Sequence, residues 1–223
     1  MSLKGFVSDS AWLFDLGFPV QRLVERIDRS IPQSWALGDA YRLPSLKQLS
    51  EASDSSTTWM AWSDNEILMR VQMPHAIPMS TPEMNVSLDF YIDTRRSRGI
   101  HRANGYCHLY QFRLREPFFV PLDHKPFDVR PSPITRAKAI PSYAEANQVR
   151  GWLTSTPSRL EVKAVIPYGS LTGCDPLEFP EWGVMWVASD SRKRCCLARN
   201  ALHIPLDDPS LWCCARLVEG SDA

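Results

Sequence analysis

The feature that most constrains this chain is a strict two-residue rhythm from Val86 to Asp93. Leu88, Phe90 and Ile92 fall on one side, and Asp89, Tyr91 and Asp93 fall on the other. Successive side chains of an extended strand point to opposite faces. The run therefore describes a sheet with one dry face and one polar face.

The rhythm recurs along the chain. Trp59-Met60-Ala61-Trp62 and the run from Glu66 to Met73 flank an Asp64-Asn65 turn signal and predict a hairpin. The run from Tyr106 to Arg113 also alternates. It sets Tyr106, His108, Tyr110 and Phe112 against Cys107, Leu109, Gln111 and Arg113, and leaves open which set faces the core. Gln148 to Leu153 and Arg159 to Ile166 predict a second hairpin. Gly183 to Ala188, Arg194 to Arg199 and Cys213 to Val218 complete the set. The proline-rich stretch from Pro117 to Pro141 is too irregular for a strand and long enough to help form a surface site. Many short strands with Pro and Gly turns predict an all-β fold, an antiparallel β-sandwich.

The first segment differs. Val20, Leu23, Val24 and Ile27 recur at helical spacing behind Pro19, which predicts a short amphipathic helix. The expected organisation is an N-terminal extension over residues 1–37 and a β-sandwich domain over 38–223.

Charge narrows the function classes. Twenty-five Lys and Arg balance twenty-five Asp and Glu, so the net charge is zero. Nucleic-acid binders need a basic surplus for phosphate contacts, so no nucleic-acid partner is expected. Nothing predicts attachment to anionic lipid, and no apolar run has the length of a membrane span. Asp9 and Asp15 interrupt what would be a leader's apolar core. The predicted location is cytoplasmic, or extracytoplasmic if the chain is a piece of a longer protein. None of the six cysteines has C-x-x-C spacing, so no structural zinc is expected. Reduced thiols are the default, with a Cys196–Cys213 bridge as the alternative.

Several stretches, taken in order, resemble the type-9 carbohydrate-binding modules, a DOMON-like β-sandwich family. Trp62-Ser63-Asp64-Asn65-Glu66-Ile67-Leu68 is similar to their opening hairpin. Ser87-Leu88-Asp89-Phe90-Tyr91-Ile92-Asp93 is similar to their "S-V-E-I-F-I-D" strand, and Arg159 to Pro167 to their "G-Y-x-V-E-A-A-I-P" strand. Gly183 opens a strand that ends near Asp190, and Asp208-Pro209-Ser210-Leu211-Trp212 leads into the last strand. Ile92-Asp93-Thr94-Arg95, His101-Arg102-Ala103 and Cys107-His108 also resemble bacterial members of this superfamily to which no activity is assigned.

The resemblance implies a non-catalytic module that grips a sugar between two Trp rings while polar side chains read its hydroxyls. Flat apolar sugar faces stack on aromatic rings, and edge hydroxyls need fixed partners. Both ring positions are replaced here, by Glu83 and Leu206, whereas the hydroxyl-reading acid is kept as Asp89. The implied partner is a glycan or another small polar ligand. No cofactor is implied; calcium accompanies some such modules, but the acidic residues here are scattered.

The candidate ligand-binding residues are Asp89, Tyr91, Arg95, His101, Arg102, His108 and Trp182. Asp89 and Tyr91 share the polar face, with Arg95 beyond. Asp93 also fits a turn anchor, as strand-end Asp often does. His101, Arg102 and His108 lie close in sequence and could meet an acid across a hairpin, which would be the basis of an enzyme reading. Trp182 and Trp152 are the expected exposed aromatics. The cluster Arg95-Arg96-Ser97-Arg98 reads as a solvated loop or as a contact for an acidic glycan or phosphate. A protein-interaction or assembly domain is the alternative function, motivated by the lost rings and the predicted helix.

Overall fold

A computed structural model describes residues 17–24, 36–44, 56–74, 86–97, 99–114, 122–189, 194–196 and 206–220. Twelve strands lie among them. They are β1 (Gly17–Arg22), β2 (Thr57–Trp62), β3 (Glu66–Pro74), β4 (Ser87–Asp93), β5 (Cys107–Arg113) and β6 (Leu122–Pro126). There follow β7 (Asp128–Pro131), β8 (Arg150–Thr156), β9 (Arg159–Pro167), β10 (Glu181–Ser189), β11 (Arg194–Cys196) and β12 (Cys213–Val218). Hydrogen bonding runs β6-β8-β9-β3-β2-β1-β12-β10-β4-β5-β7, with β11 beside β10. The predicted all-β class thus holds, as one mixed sheet bent nearly into a closed loop. Its two ends, β6 and β7, are consecutive in the chain and joined through Phe127, whose amide donates to Gly151 O at 2.9 Å.

Both halves of this path turn their inward residues into one core. Met60, Ile67, Met69, Val71, Leu160, Val162 and Ile166 come from one half, and Leu88, Phe90, Ile92, Phe112, Val184 and Trp186 from the other. Leu88, Phe90 and Ile92 are almost completely buried, as their alternation predicts. Each such side chain contributes roughly 1.5–3 kcal/mol over its exposed state. A smaller cluster of Leu37, Trp59, Ala61, Leu68 and Val165 seals the outer face of β2, β3 and β9.

The N-terminal helix is a correction. Gly17–Arg22 is a strand, parallel to both β12 and β2. Phe18 and Val20 point inward, and Val24, which the helical spacing places with Val20, is 84% exposed. Tertiary pairing overrides the local period because β1 fills the gap between β12 and β2, each of which is paired only on its other side, with β10 and β3. Leu23 N donates to Trp62 O at 2.6 Å, and Arg22 stacks on Trp62 while pairing with Asp64 and Glu219. Pro19 lies in the half of β1 that has only β12 beside it, the setting in which a strand tolerates proline. Ile27 lies outside the described residues.

The Cys196–Cys213 bridge does not fit either. Cys196 sits opposite Val187 and Cys213 opposite Val184 on β10. Three positions along a strand span roughly 10 Å, beyond the Cα separation a disulfide spans.

Candidate functional site

The register of β4 against β5 decides which polar side chains meet. Asp89 pairs with Gln111 and Ser87 with Arg113. On the next strand Gln111 pairs with Arg130 and Arg113 with Asp128. Tyr110 and Phe112 face the core, and Gln111 and Arg113 stand outside with Asp89.

These residues form a connected polar floor at one end of β4. Arg113 Nη2 donates to Asp89 Oδ1 at 2.5 Å, and Gln111 Nε2 reaches the same oxygen at 3.5 Å. Arg130 donates through Nε and Nη2 to Asp128 Oδ2 at 3.0 and 2.7 Å. Asp89 Oδ2 accepts nothing among the described residues, and the Asp89 and Arg113 side chains remain 24% and 39% exposed. Two carboxylates and two guanidiniums cancel in charge, while an amide adds a donor and an acceptor. Such a surface offers fixed donors and acceptors to neutral hydroxyls without attracting a strongly charged ligand.

The other sequence candidates do not join this floor. Tyr91 is buried beneath Trp212, ring centres 5.5 Å apart, and Trp212 Nε1 donates to Leu206 O. Leu206, at one lost ring position, is half-buried against the main core; Glu83, at the other, lies outside the described residues. Asp93 is buried and accepts from the amides of Arg95 and Ser97 at 3.0 and 2.7 Å, so it anchors the turn after β4. Burial pushes its carboxyl above the usual range. Asp89 and Asp93 are four residues apart on a strand, about 13 Å, so Arg95 belongs to the opposite end of β4.

His101 and His108 are separated by the sheet. His108 points inward and is fully buried. Its Nε2 accepts from Thr172 N at 2.9 Å. Burial lowers its pKa to about 4. His101 is exposed outside, with Nδ1 3.0 Å from Asp208 Oδ2 and 3.2 Å from Ser210 Oγ. The trio of Ser210, His101 and Asp208 has the composition of a nucleophilic triad but not its wiring. A relaying histidine uses one nitrogen for the hydroxyl and the other for the acid, and here both partners meet Nδ1. Arg102 donates to Arg136 O, and Arg136 pairs with Asp207.

Trp182 is also a correction. It is fully buried, donates from Nε1 to Phe179 O at 2.9 Å, and meets Tyr168 edge-on. Its place at a strand entry suggested exposure, but its inward side faces the core. Trp152 is half-buried, in a cross-strand row with Lys163, Arg70 and Trp59. Among the described residues no group of three or more His, Cys, Asp and Glu is placed to hold a metal ion.

No family model matches the chain. No curated protein matches it either. Solved structures do. A family 9 carbohydrate-binding module from Caldicellulosiruptor kristjanssonii, in complex with cellotriose, superposes over 93% of this chain and 96% of its own, with a TM-score of 0.53 and 15% identity. The same kind of module in complex with glucose matches over 93% and 98%, with a TM-score of 0.53 and 14% identity. The chain shares the fold of a family 9 carbohydrate-binding module. At this identity the likeness concerns the backbone plan, and side-chain chemistry has to be argued from the residues themselves.

Proposed function

We propose that this chain is a non-catalytic carbohydrate-binding module whose sugar preference is altered because Glu83 and Leu206 replace both stacking rings. The observation that carries the reading is the floor of Asp89, Gln111 and Arg113, part-exposed and joined through one carboxylate oxygen, on a fold shared with modules solved with cellotriose and glucose. Without two rings to clamp a sugar, affinity must come mostly from hydrogen bonds to hydroxyls. Those gain little against water unless their partners are held in place, and the Arg113–Asp89 pair supplies that order.

The non-catalytic part of the reading draws on the separation of His101 from His108 and on the single-nitrogen wiring of His101. The interaction-domain alternative leaned on an amphipathic helix, and residues 17–22 instead bury Phe18 and Val20 in the protein's own sheet. Titration of the labelled protein with glucose and cello-oligosaccharides tests the proposal. Amide and side-chain shifts should cluster at Asp89, Gln111 and Arg113. Shifts confined to the opposite face of the molecule, or no shifts with any neutral sugar, would count against it.

A further inference from the structure

The far end of β4 holds a cation, Arg95, that has no counter-charge among the described residues. The guanidinium carbon of Arg95 lies 3.3 Å from the centre of the Phe179 ring and 5.3 Å from that of Tyr106. Its Nε is sealed from solvent and has no acceptor. A guanidinium carries five N–H donors, and none of those on Arg95 reaches an acceptor among the described residues. The nearby acids are turned elsewhere. Asp93 gives its two oxygens to the amides of Arg95 and Ser97, and Asp175 Oδ1 accepts from Leu177 N and Glu178 N.

An arginine that only supports a fold normally spends its donors on carbonyls or carboxylates. Arg95 instead lies against two rings, with its donors unspent among the described residues. The backing is specific. Gly173 has φ +67°, and a Cβ there would stand 2.6 Å from the Tyr106 ring and 3.1 Å from Arg95 Nε. Only glycine lets this loop close behind the two side chains. Tyr106 stays 40% exposed, and its hydroxyl makes no hydrogen bond among the described residues.

We propose that Arg95 and Tyr106 form a second ligand site for the carboxylate of an acidic sugar, a uronate. The inference rests on the carbohydrate-binding reading and extends it to a place about 13 Å or more from Asp89 along β4. One positive charge, uncompensated among the described residues, matches one carboxylate; a phosphate dianion would leave a charge unbalanced. With Nε sealed, the two terminal nitrogens of the planar fork fit a carboxylate through two parallel hydrogen bonds. The exposed face of Tyr106 offers the apolar surface on which a pyranose ring stacks.

The test is calorimetric titration with D-glucuronate, glucose and inorganic phosphate, together with the Arg95 Nε–H resonance in labelled protein. Glucuronate should bind about tenfold or more tighter than glucose and move that resonance, as a charge-assisted bidentate pair requires. Arg95→Lys, which keeps the charge but loses the fork, should remove about tenfold of glucuronate affinity and leave glucose binding unchanged. Tyr106→Ala, at an exposed side chain, should weaken glucuronate binding without unfolding the protein. Phosphate binding as tightly as glucuronate, or full glucuronate affinity in Arg95→Lys, would overturn the site. Glucose binding with no glucuronate preference would also overturn it while sparing the general reading. Loss of all sugar binding would sink both.

Discussion

Thr172, half-buried in the 170–174 loop, donates its backbone amide to Nε2 of the buried His108 at 2.9 Å. That bond assigns the imidazole proton to Nδ1, which is buried and has no partner. The ring lies parallel to Tyr110 and edge-on to Tyr143. Thr172 is tied on further sides, its carbonyl accepting from Thr94 Oγ1 and its hydroxyl exchanging hydrogen bonds with Ser142. His108 is therefore a structural post under the 170–174 loop, the same loop that backs Arg95.

A pH dependence follows. An exposed histidine titrates near 6.5, and burial brings His108 to about 4. As pH falls, the unfolded chain takes up the proton first, so stability is full above 6.5 and declines between 6.5 and 4. The slope is about 1.4 kcal/mol per pH unit and the total loss about 3 kcal/mol. His108→Gln should flatten this decline. Urea denaturation of both proteins at intervals from pH 7 to about 4 measures the difference. Buried Asp93, whose carboxyl is shifted upward, acts equally on both and cancels. An unchanged slope in the variant would contradict the assignment.

Closure of the sheet depends on Gly151. A Cβ at this position would stand 2.5 and 2.8 Å from the Phe112 ring and 3.3 Å from Phe127. These two rings meet edge-on at 6.0 Å where β8 faces β7. Gly151→Ala should cost about 1–3 kcal/mol through overpacking, read as a lower denaturation midpoint with the slope preserved. A neutral substitution would mean that the seam is looser than its geometry implies.

How much of this was legible in the sequence varies by residue. The alternation of Leu88, Phe90 and Ile92 states the burial of β4 outright, because one period governs the whole strand. Val20 shows the opposite case. Its helical spacing is genuine, but β1 is made by β12 and β2, which lie elsewhere in the chain. The polar floor was half legible. Asp89 could be singled out, whereas Gln111 and Arg113 required the register of β5, which its two similar faces concealed. Tyr91 and Trp182 were misjudged because both faces of this part of the sheet are covered, the outer one by segments around Trp212. Tyr106 carried no local signal at all; its partnership with Arg95 exists only once the turn after β4 has formed.

On the outer face of β3 and β9, Glu161 Oε2 accepts three hydrogen bonds, from Arg70 Nε at 2.9 Å, Arg70 Nη2 at 2.7 Å and Gln72 Nε2 at 2.7 Å. Arg70 also lies over Trp59, 4.3 Å from the ring centre. Both charged side chains are less than a fifth exposed. Glu161→Gln leaves the largely buried Arg70 without its counter-charge and should cost about 3 kcal/mol, the lower end for breaking a buried pair. Thermal denaturation at low and high salt checks this. A loss that vanishes at high salt would place the pair with weak surface bridges instead.

In the proposed function, Asp89, with Gln111 and Arg113, reads sugar hydroxyls. Isothermal titration of a panel of neutral oligosaccharides into the protein and into Asp89→Ala tests it most directly. Asp89 is part-exposed and its pair with Arg113 lies at the surface, so the substitution should change stability by less than about 1 kcal/mol. At least one neutral sugar should bind the unaltered protein and lose about tenfold or more in affinity to Asp89→Ala. Equal affinity in both proteins, or no binding of any sugar in the panel, would contradict it.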